Sequence, residues 1–372
     1  MSTSLADAPL TSFTLPRRLA ATEPPEARGL RRDRVRMLVA RPNGLEHAHF
    51  NDLTHILRPG DLVVVNTSAT RPAAVDGTRA GGGQIVIHFS TPLDDGAWIV
   101  ELRAHDGSGP VMDATGGETI DLPTDARIQI MAAHPDPLMA TGSRLWRSRV
   151  GVDGSIEDWL AKHGRPISYG YLRGRWALSD YQTVFARERG SAEMPSAARP
   201  FTRRLVTEMI THGINFAPVV LHCGVSSLED GEPPQAERFR VPPATAWLVN
   251  ATRRAGGRVV AVGTTVTRAL ETVADIDGVV APGQGWTDLV LGPKRPARAV
   301  DGLLTGWHPP RASHLLLLEA AAGADLVQDA YDAAVTAGYL WHEFGDSCLL
   351  LPRRLHADPR CHPVPQPLPA FS

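Results

Sequence analysis

Several polar residues stand directly beside apolar runs that are typical of buried strands. They are Asn66, His222, Gly263, Thr264, Thr265 and Asp346. In parallel α/β folds, ligands bind at the carboxyl ends of the strands, where loops and helix N-termini meet, so we expect these residues to lie close together. Backbone N–H groups and threonine hydroxyls there can bind an oxygen-rich ligand such as a ribose or a carboxylate, although a Gly-Thr-Thr turn is also a common helix cap.

Other candidates lie in turns and loops. Asp288 is a candidate general base and equally a residue that caps a turn. His308 precedes two prolines in an irregular loop and is a candidate for proton transfer, whereas His222 follows an apolar strand, where a histidine is commonly structural. Trp286 and Trp307 can either stack on a purine or pack in the core.

The sequence lacks the short motifs of several enzyme classes. It contains no phosphate-binding loop, no dinucleotide-binding glycine motif, no zinc-protease motif and no hydrolase nucleophile elbow. Its three cysteines, Cys223, Cys348 and Cys361, are far apart and form no metal-binding or disulfide pattern. The sequence therefore predicts an α/β enzyme that acts on an oxygen-rich ligand without a metal.

The elements that must position these residues follow an alternating pattern of buried strands and amphipathic helices, which predicts parallel βαβ units. Thr202 is predicted to cap a helix over residues 203–210, and Pro242-Pro243 to open a helix that ends before Gly256. The remaining predictions are helices over residues 267–273, 314–322 and 325–337 and strands over residues 62–66, 216–221, 259–262 and 348–351.

Residues 67–175 differ from the rest of the chain. They contain short alternating strand patterns separated by Gly- and Asp-rich turns and no long helical period, which is typical of a small antiparallel barrel. We therefore predict a barrel-like parallel α/β domain, residues 1–66 plus 176–352, that is interrupted by a small antiparallel β-barrel domain, residues 67–175. A Pro-rich tail, residues 353–372, follows.

Composition narrows the class of protein. The chain has 372 residues, a formal net charge of −2 and 43% hydrophobic residues, which is enough to bury large cores. The balanced charge gives no overall nucleic-acid signature, and the arginine-rich stretch 28–36 is either a solvated surface or an anion-binding one. Because neither a secretory signal nor an apolar run of membrane length is visible, we expect a cytoplasmic monomer with no membrane partner.

Six segments carry a more specific signal because they occur in a fixed order along the chain. They are Phe13-Thr14-Leu15-Pro16, residues 57–66, Tyr181-Gln182-Thr183-Val184-Phe185-Ala186, residues 262–271, Gly285-Trp286-Thr287-Asp288-Leu289 and Phe344-Gly345-Asp346. Together they resemble the S-adenosylmethionine:tRNA ribosyltransferase-isomerase family of the queuosine pathway. The resemblance implies an α/β domain interrupted by a β-barrel domain, in agreement with the insertion predicted above.

The resemblance also implies a reaction. Enzymes of this family transfer and isomerise the ribosyl part of S-adenosylmethionine onto the aminomethyl group of a deazaguanine in tRNA, and release adenine and methionine. The implied catalytic candidates are Asp288, His308 and Asp346, and His222 joins them from its position after a strand. The implied S-adenosylmethionine-binding residues are Gly263, Thr264, Thr265 and Arg268, and Asn66 and Trp286 join them from their positions in the sequence. The implied acceptor-binding residues are Tyr181, Gln182, Pro195, Ser196, Arg199, Phe201, Glu237 and Phe344.

The chain departs from the family pattern at several motif positions. Pro200 replaces a histidine, Gly306-Trp307 replaces Asn-Phe before His308, and a His-x-Met-His-x-Glu stretch is reduced to its glutamate, Glu237. Residues 221–228 and 66–69 also differ from the family motifs. These losses favour a divergent member of the family. One alternative is an enzyme that uses a small-molecule acceptor instead of tRNA. The other is a protein that binds S-adenosylmethionine or RNA without turnover.

Overall fold

The computed structural model describes residues 8–139, 142–226, 232 and 234–353, so that the predicted Pro-rich tail lies outside the described residues except for Arg353. The strands are β1 (Arg36–Arg41), β2 (Gly44–His49), β3 (Leu62–Asn66), β4 (Ser68–Thr70), β5 (Ala74–Arg79), β6 (Gln84–Pro92), β7 (Trp98–Ala104), β8 (Thr119–Asp121), β9 (Arg127–His134), β10 (Leu145–Gly151), β11 (Glu188–Ser191), β12 (Asn215–Leu221), β13 (Glu237–Val241), β14 (Val259–Val262), β15 (Gly283–Thr287), β16 (Gly302–Gly306) and β17 (Ser347–Leu350). The helices are α1 (Leu53–Ile56), α2 (Ile156–His163), α3 (Arg203–Thr211), α4 (Pro243–Arg254), α5 (Thr264–Thr272), α6 (Ser313–Ala322) and α7 (Ala324–Thr336).

A nine-stranded sheet forms the larger part of the molecule. Its strand order is β15-β13-β12-β3-β14-β16-β17-β1-β2. Strands β12, β3, β14 and β16 run parallel to one another, as predicted from the βαβ pattern. Strands β13, β15 and β2 pair antiparallel at the two edges, and β17 is antiparallel to β16 but parallel to β1. The sheet is therefore mixed, with its parallel strands at the centre.

The central strand β3 shows why this sheet is stable. All five of its residues are buried, and successive side chains point to opposite faces. Leu62 and Val64 join one apolar core, and Val63 and Val65 join the core on the other face. A continuous β-branched run is therefore what a strand covered on both faces requires.

The inserted segment forms a closed antiparallel barrel with the strand order β10-β7-β6-β5-β8-β9. The predicted fold class, α/β with a small antiparallel barrel inserted, is confirmed. All six barrel strands lie between Ala74 and Gly151, and their inward side chains include Ile87, Phe89 and Trp146. The parallel pair β4 and β11 connects the barrel to the rest of the chain.

The helices begin where local signals favour them. The Thr202 hydroxyl accepts a hydrogen bond from the Leu205 N–H (3.1 Å) and caps α3, as predicted. Helix α4 opens at Pro243, and α5 begins at Thr264, before the predicted start at residue 267. Among the described residues, no helix has the length and apolar character needed to cross a membrane.

Candidate active site

A cavity of about 290 Å³ lies at the carboxyl ends of three parallel strands, β12, β14 and β16, with β3 between β12 and β14. One wall comes from the residues that directly follow these strands: residues 223–226, 263–265 and 307–309. The other walls come from residues 167–171 beyond the barrel, residues 192–197 after β11, and the pair His342 and Glu343 before β17. The cavity therefore lies where ligands bind in parallel α/β folds.

The N-terminus of α5 forms one end of the cavity. Gly263 has a φ of 92°, and a Cβ atom at this position would lie 3.4 Å from the Ala197 Cβ atom, so glycine allows β14 to turn directly into the helix. Thr264 and Thr265 line the cavity. The first N–H groups of a helix have no intrahelical acceptor and carry partial positive charge, so this end suits ligand oxygens.

Asn66 supports this helix end from behind. Its side-chain nitrogen donates to the Leu221 carbonyl (2.7 Å) and lies 3.4 Å from the Thr265 hydroxyl, while its oxygen accepts from the Leu221 N–H (3.1 Å). Asn66 is fully buried and is not among the residues that line the cavity. The asparagine therefore fixes β3, β12 and α5 relative to one another.

An ion pair between Arg268 and Glu237 forms part of the adjoining wall. Arg268 also donates to the Thr287 carbonyl (3.0 Å) and the Gln235 carbonyl (3.1 Å), and Glu237 accepts from the Gly224 N–H (2.9 Å). Burial raises the pKa of Glu237, and the charge of Arg268 opposes that rise. The pair joins α5 to β13 and β15 and largely cancels its own charge.

Three histidines line the cavity, namely His308, His314 and His342. The His308 Nε2 atom lies 3.1 Å from the Thr305 hydroxyl, and its ring stacks on His314 with 4.5 Å between centroids. Burial lowers the pKa of His308 well below its usual value and that of His314 to about 4. Both rings are therefore neutral near pH 7 and can accept a proton or a hydrogen bond.

Two glutamates and two tyrosines form an acidic wall, which we define as Glu193, Glu343, Tyr169 and Tyr171. The Tyr169 hydroxyl donates to Glu193, which also accepts from the Ser226 N–H (2.9 Å), and the Tyr171 hydroxyl donates to Glu343. Burial raises the pKa of Glu343 to about 7. Sequence reasoning missed these residues, although each glutamate directly precedes a motif segment.

Half of the predicted site residues line the cavity. They are Gly263, Thr264, Thr265, Arg268, His308, Tyr181, Pro195, Ser196 and Glu237. These residues come from β13, α5, the turn before β11 and the loops after β11, β14 and β16, which are far apart in the sequence. The fold thus brings these residues together. From the sequence, their proximity could be predicted only because most of them lie beside predicted strands.

Three of the four predicted catalytic residues do not line the cavity. Asp288 is exposed on the segment that leads to the lining residues Leu289 and Val290. Asp346 is buried and accepts from the Arg36 N–H (2.9 Å), the Arg36 guanidinium (3.0 Å) and the Leu340 N–H (2.8 Å), which ties β1 to the start of β17. Both carboxylates are near the site without facing it.

His222, the third, packs closely against Gly190, where a Cβ atom would lie 2.1 Å from the imidazole ring. Its Nδ1 atom lies 2.8 Å from the Ser68 hydroxyl. Burial lowers its pKa, and the nearby charge of Arg71 acts in the same direction. This environment matches the structural alternative for a histidine after a strand.

The remaining predicted residues also lie outside the lining. Trp286 donates from its indole N–H to Asp94 (3.0 Å) in the β6–β7 turn, and Gln182 bonds both backbone groups of Thr70. Phe201 is fully buried in the core.

Arg199 and Phe344 pack together directly behind the cavity. The Arg199 guanidinium pairs with Glu26 (2.9 Å) and lies 4.9 Å from the centroid of the Phe344 ring. Phe344 also packs on Tyr181, with 5.1 Å between the ring centroids. These two residues are therefore placed to support the cavity wall.

Comparison with known proteins agrees with this arrangement. Residues 10–350 match a family model described as Queuosine biosynthesis protein. The S-adenosylmethionine:tRNA ribosyltransferase-isomerase of Moorella thermoacetica is 37% identical over 359 residues, which cover 91% of this chain and 98% of that protein. The enzyme of the same name from Symbiobacterium thermophilum is 35% identical over 354 residues, again 91% of this chain and 98% of that protein.

A solved structure is also similar. It is the crystal structure of S-adenosylmethionine tRNA ribosyltransferase from Thermotoga maritima, which is 28% identical to this chain and superposes with a TM-score of 0.50. The match covers 92% of this chain and 99% of the other. The similarity therefore extends over both the sheet and the barrel.

Proposed function

Because the chain belongs to the queuosine biosynthesis protein family, we propose that it is an S-adenosylmethionine:tRNA ribosyltransferase-isomerase. The enzyme transfers the ribosyl part of S-adenosylmethionine to an amine on a deazaguanine in tRNA, isomerises it, and releases adenine and methionine. The observation that carries this proposal is the cavity at the strand ends, which is lined by polar groups from motifs that match the family in order along the chain. No metal is assigned to the reaction.

The N-terminus of α5 is proposed to hold S-adenosylmethionine. Gly263, Thr264 and Thr265 present backbone N–H groups and hydroxyls that suit the oxygens of the ribose and the methionine carboxylate. Arg268 holds the adjoining wall through its bonds to Glu237 and the Thr287 carbonyl. Asn66 keeps Thr265 in place from behind, so its role is positioning.

His308 is proposed as the proton acceptor. A sulfonium acidifies the neighbouring ribose C5′ protons, so the reaction needs a base beside that carbon. His308 lines the cavity, is neutral near pH 7 and has its ring oriented by Thr305 and His314. Asp288, Asp346 and His222 do not line the cavity, and for this reason they rank below His308.

The part of the cavity lined by Tyr181, Pro195 and Ser196 is proposed to receive the acceptor base of the tRNA. All three residues line the cavity. Pro195 and Ser196 lie between β11 and α3, and Tyr181 lies in the turn before β11. The relatives' shared name supports tRNA as the acceptor over a free small molecule. Arg199 and Phe344 stand directly behind these residues and are proposed to support them.

The test is an assay of adenine and methionine release by the purified full-length protein. S-adenosylmethionine is incubated with tRNA that carries 7-aminomethyl-7-deazaguanine, with the same tRNA carrying guanine, or without tRNA, and the products are separated by chromatography. We expect release only with the aminomethyl-bearing tRNA. Binding of S-adenosylmethionine without release would favour a non-catalytic binding protein, and release with the free base alone would favour a small-molecule acceptor.

A further inference from the structure

The two carboxylates of the acidic wall have no cationic partner. Within the described part of the chain, no arginine or lysine nitrogen lies within salt-bridge distance of Glu193 or Glu343, whereas Glu237 is paired with Arg268. His308 and His314 are neutral near pH 7, so they do not compensate this charge. The ionised forms of these two carboxyl groups therefore have no cation within salt-bridge distance, which favours a cationic ligand.

The hydrogen bonds to these carboxylates hold them in place without neutralising them. Glu193 accepts from the Tyr169 hydroxyl and from both the N–H (2.9 Å) and the hydroxyl of Ser226. Glu343 accepts from the Tyr171 hydroxyl through one oxygen. The Tyr169 and Tyr171 rings stack on each other with 6.1 Å between centroids, so both carboxylates are fixed on one rigid aromatic surface.

Tyr181 provides a second, independent indication of a ligand. This side chain lines the cavity with only 4% of its surface exposed, and its hydroxyl makes no hydrogen bond of normal geometry within the described residues. Burial and the neighbouring charge of Glu343 raise its pKa and outweigh the opposing contact with the Ser168 side chain, so the hydroxyl stays protonated. A buried hydroxyl without a hydrogen bond of normal geometry is costly, and a ligand that accepts its hydrogen bond would remove that cost.

We propose that Glu193, Glu343 and Tyr181 form the subsite for the acceptor amine, which binds there as an alkylammonium ion. This inference rests on the proposed function and adds to it the residues that select the acceptor. An ammonium has N–H groups that can donate to the carboxylate oxygens, whereas the S-adenosylmethionine sulfonium has none. The hydrogen-bonding capacity of the wall therefore fits the acceptor nitrogen better than the sulfur.

The same geometry lets Glu343 prepare the nucleophile. An ammonium has no lone pair, so it must lose one proton before its nitrogen can attack the ribose. That proton passes from the nitrogen to the free oxygen of Glu343, which leaves a neutral amine with its lone pair and a neutral carboxyl group. A carboxyl whose pKa lies near 7 can accept such a proton and return it to water after the reaction.

The experiment compares two probes by calorimetric titration of the full-length protein. The probes are 7-aminomethyl-7-deazaguanine and 7-methyl-7-deazaguanine, which differ by the amine. We expect the wild type to prefer the amine by about 10-fold or more, as charge-assisted hydrogen bonds typically provide. Glu193→Gln and Glu343→Gln should each remove most of this preference, whereas Glu46→Gln, an exposed site on β2, should leave it unchanged.

Glu343→Asp retains the charge and should retain part of the preference, which keeps the test valid if a glutamine variant folds poorly. Equal affinity of the wild type for both probes, or an unchanged preference in both glutamine variants, would overturn the subsite. Weaker binding of S-adenosylmethionine with an unchanged amine preference would assign the wall to the sulfonium instead, and would also overturn it. Adenine release is measured separately, on the same protein preparation with S-adenosylmethionine and tRNA carrying 7-aminomethyl-7-deazaguanine. An amine preference in the titration without release in this assay would refute the proposed reaction and leave the subsite standing.

Discussion

His308 is the residue on which the proposed proton transfer depends. Replacement by glutamine keeps a polar side chain of similar reach but removes the basic nitrogen. We expect His308→Gln to lower the kcat of adenine release by about 10²- to 10⁴-fold, the range typical of a lost general base, with a smaller effect on the KM for S-adenosylmethionine.

The matched control is His55→Gln on the exposed surface of α1, which should leave both constants unchanged. A His308→Gln variant with wild-type kcat would remove this histidine from the chemistry. The proton acceptor would then have to be sought among Asp288, Asp346 and His222.

Glu343 predicts a pH dependence of acceptor binding. Burial raises its pKa to about 7, and the groups that face it are Tyr171, Tyr181, Glu193, His342 and the Glu26-paired Arg199. Its carboxylate form, which attracts an ammonium, becomes populated as the pH rises through that value. The preference for 7-aminomethyl- over 7-methyl-7-deazaguanine should therefore increase between about pH 6 and pH 8.

In Glu343→Gln the same preference should be flat over this range, because no carboxyl titrates at that position. A wild-type preference that falls as the pH rises would contradict the assignment. The histidines are not expected to shape this range, since burial holds the pKa of His314 and His342 at about 4.

At the residue scale, the sequence predicted the parts of the site that lie beside strand ends. Thr265 and His308 follow parallel strands, and the topology alone brings such positions to one edge. Glu193, Tyr169 and Glu343 belong to segments that reach the cavity through long-range packing, and no periodicity or spacing marks such segments. Asp346 has the same sequence signal as a site residue, yet it is used in an ion pair with Arg36.

At the element scale, the turn from β14 into α5 controls the position of the helix end. Gly263 has a positive φ, and an added Cβ atom would also touch Ala197. Gly263→Ala should therefore lower the free energy of unfolding by about 1–2 kcal/mol and weaken S-adenosylmethionine binding. Urea denaturation and calorimetry measure the two effects.

Gly81→Ala is the control, because Gly81 lies in an exposed turn where an added Cβ atom would have no other atom within 4 Å. It should change neither quantity. If Gly263→Ala bound S-adenosylmethionine as tightly as the wild type, the α5 N-terminus would not be the binding element.

The elements themselves were largely predictable because local patterns determine them. Thr202, Pro243 and the buried run of β3 mark their boundaries through capping, fixed backbone angles and continuous burial. The direction in which neighbouring strands pair was harder to predict from the sequence. Strands β13 and β17 pair antiparallel with β12 and β16, and pairing direction depends on partners distant in sequence.

At the scale of the whole molecule, a buried ion network connects the barrel to the loop before β13. Arg144 pairs with Glu101 (2.6 Å) inside the barrel and with Glu232 (2.8 Å) in that loop. Burial acts to raise the pKa of Glu101, but the His88 hydrogen bond and the charges of Arg144 and Arg103 outweigh it and hold the pKa at about 2. Glu101 therefore stays ionised in the folded protein at neutral pH.

Arg144→Met should lower the free energy of unfolding by about 3 kcal/mol, because it removes the nearest cation from the buried Glu101 carboxylate, and Arg103 and His88 compensate this loss only in part. Arg147→Met is the control, since Arg147 is more exposed and its pair with Asp95 on the surface should contribute little to stability. Urea denaturation at neutral pH distinguishes the two. Equal losses would show that burial of the network does not matter for stability.

The cavity is a property of the whole chain. Its walls combine the edge of the nine-stranded sheet with segments that follow the barrel and β11, so no local stretch of sequence predicts it. Overall composition was equally uninformative, because a net charge of −2 gives no indication that Glu193 and Glu343 lie together in one cavity. The boundaries of the two domains, residues 67 and 175, remain predictions.

The transfer of ribose carbon to the acceptor tests the central claim most directly. Full-length protein is incubated with S-adenosylmethionine labelled with ¹⁴C in the ribose and with tRNA carrying 7-aminomethyl-7-deazaguanine, and the label retained on the washed tRNA is counted. The proposed function predicts one ribose-derived label on the modified base for each adenine released, and none on the same tRNA carrying guanine. Adenine release without label on the tRNA, or no release with either tRNA, would contradict it.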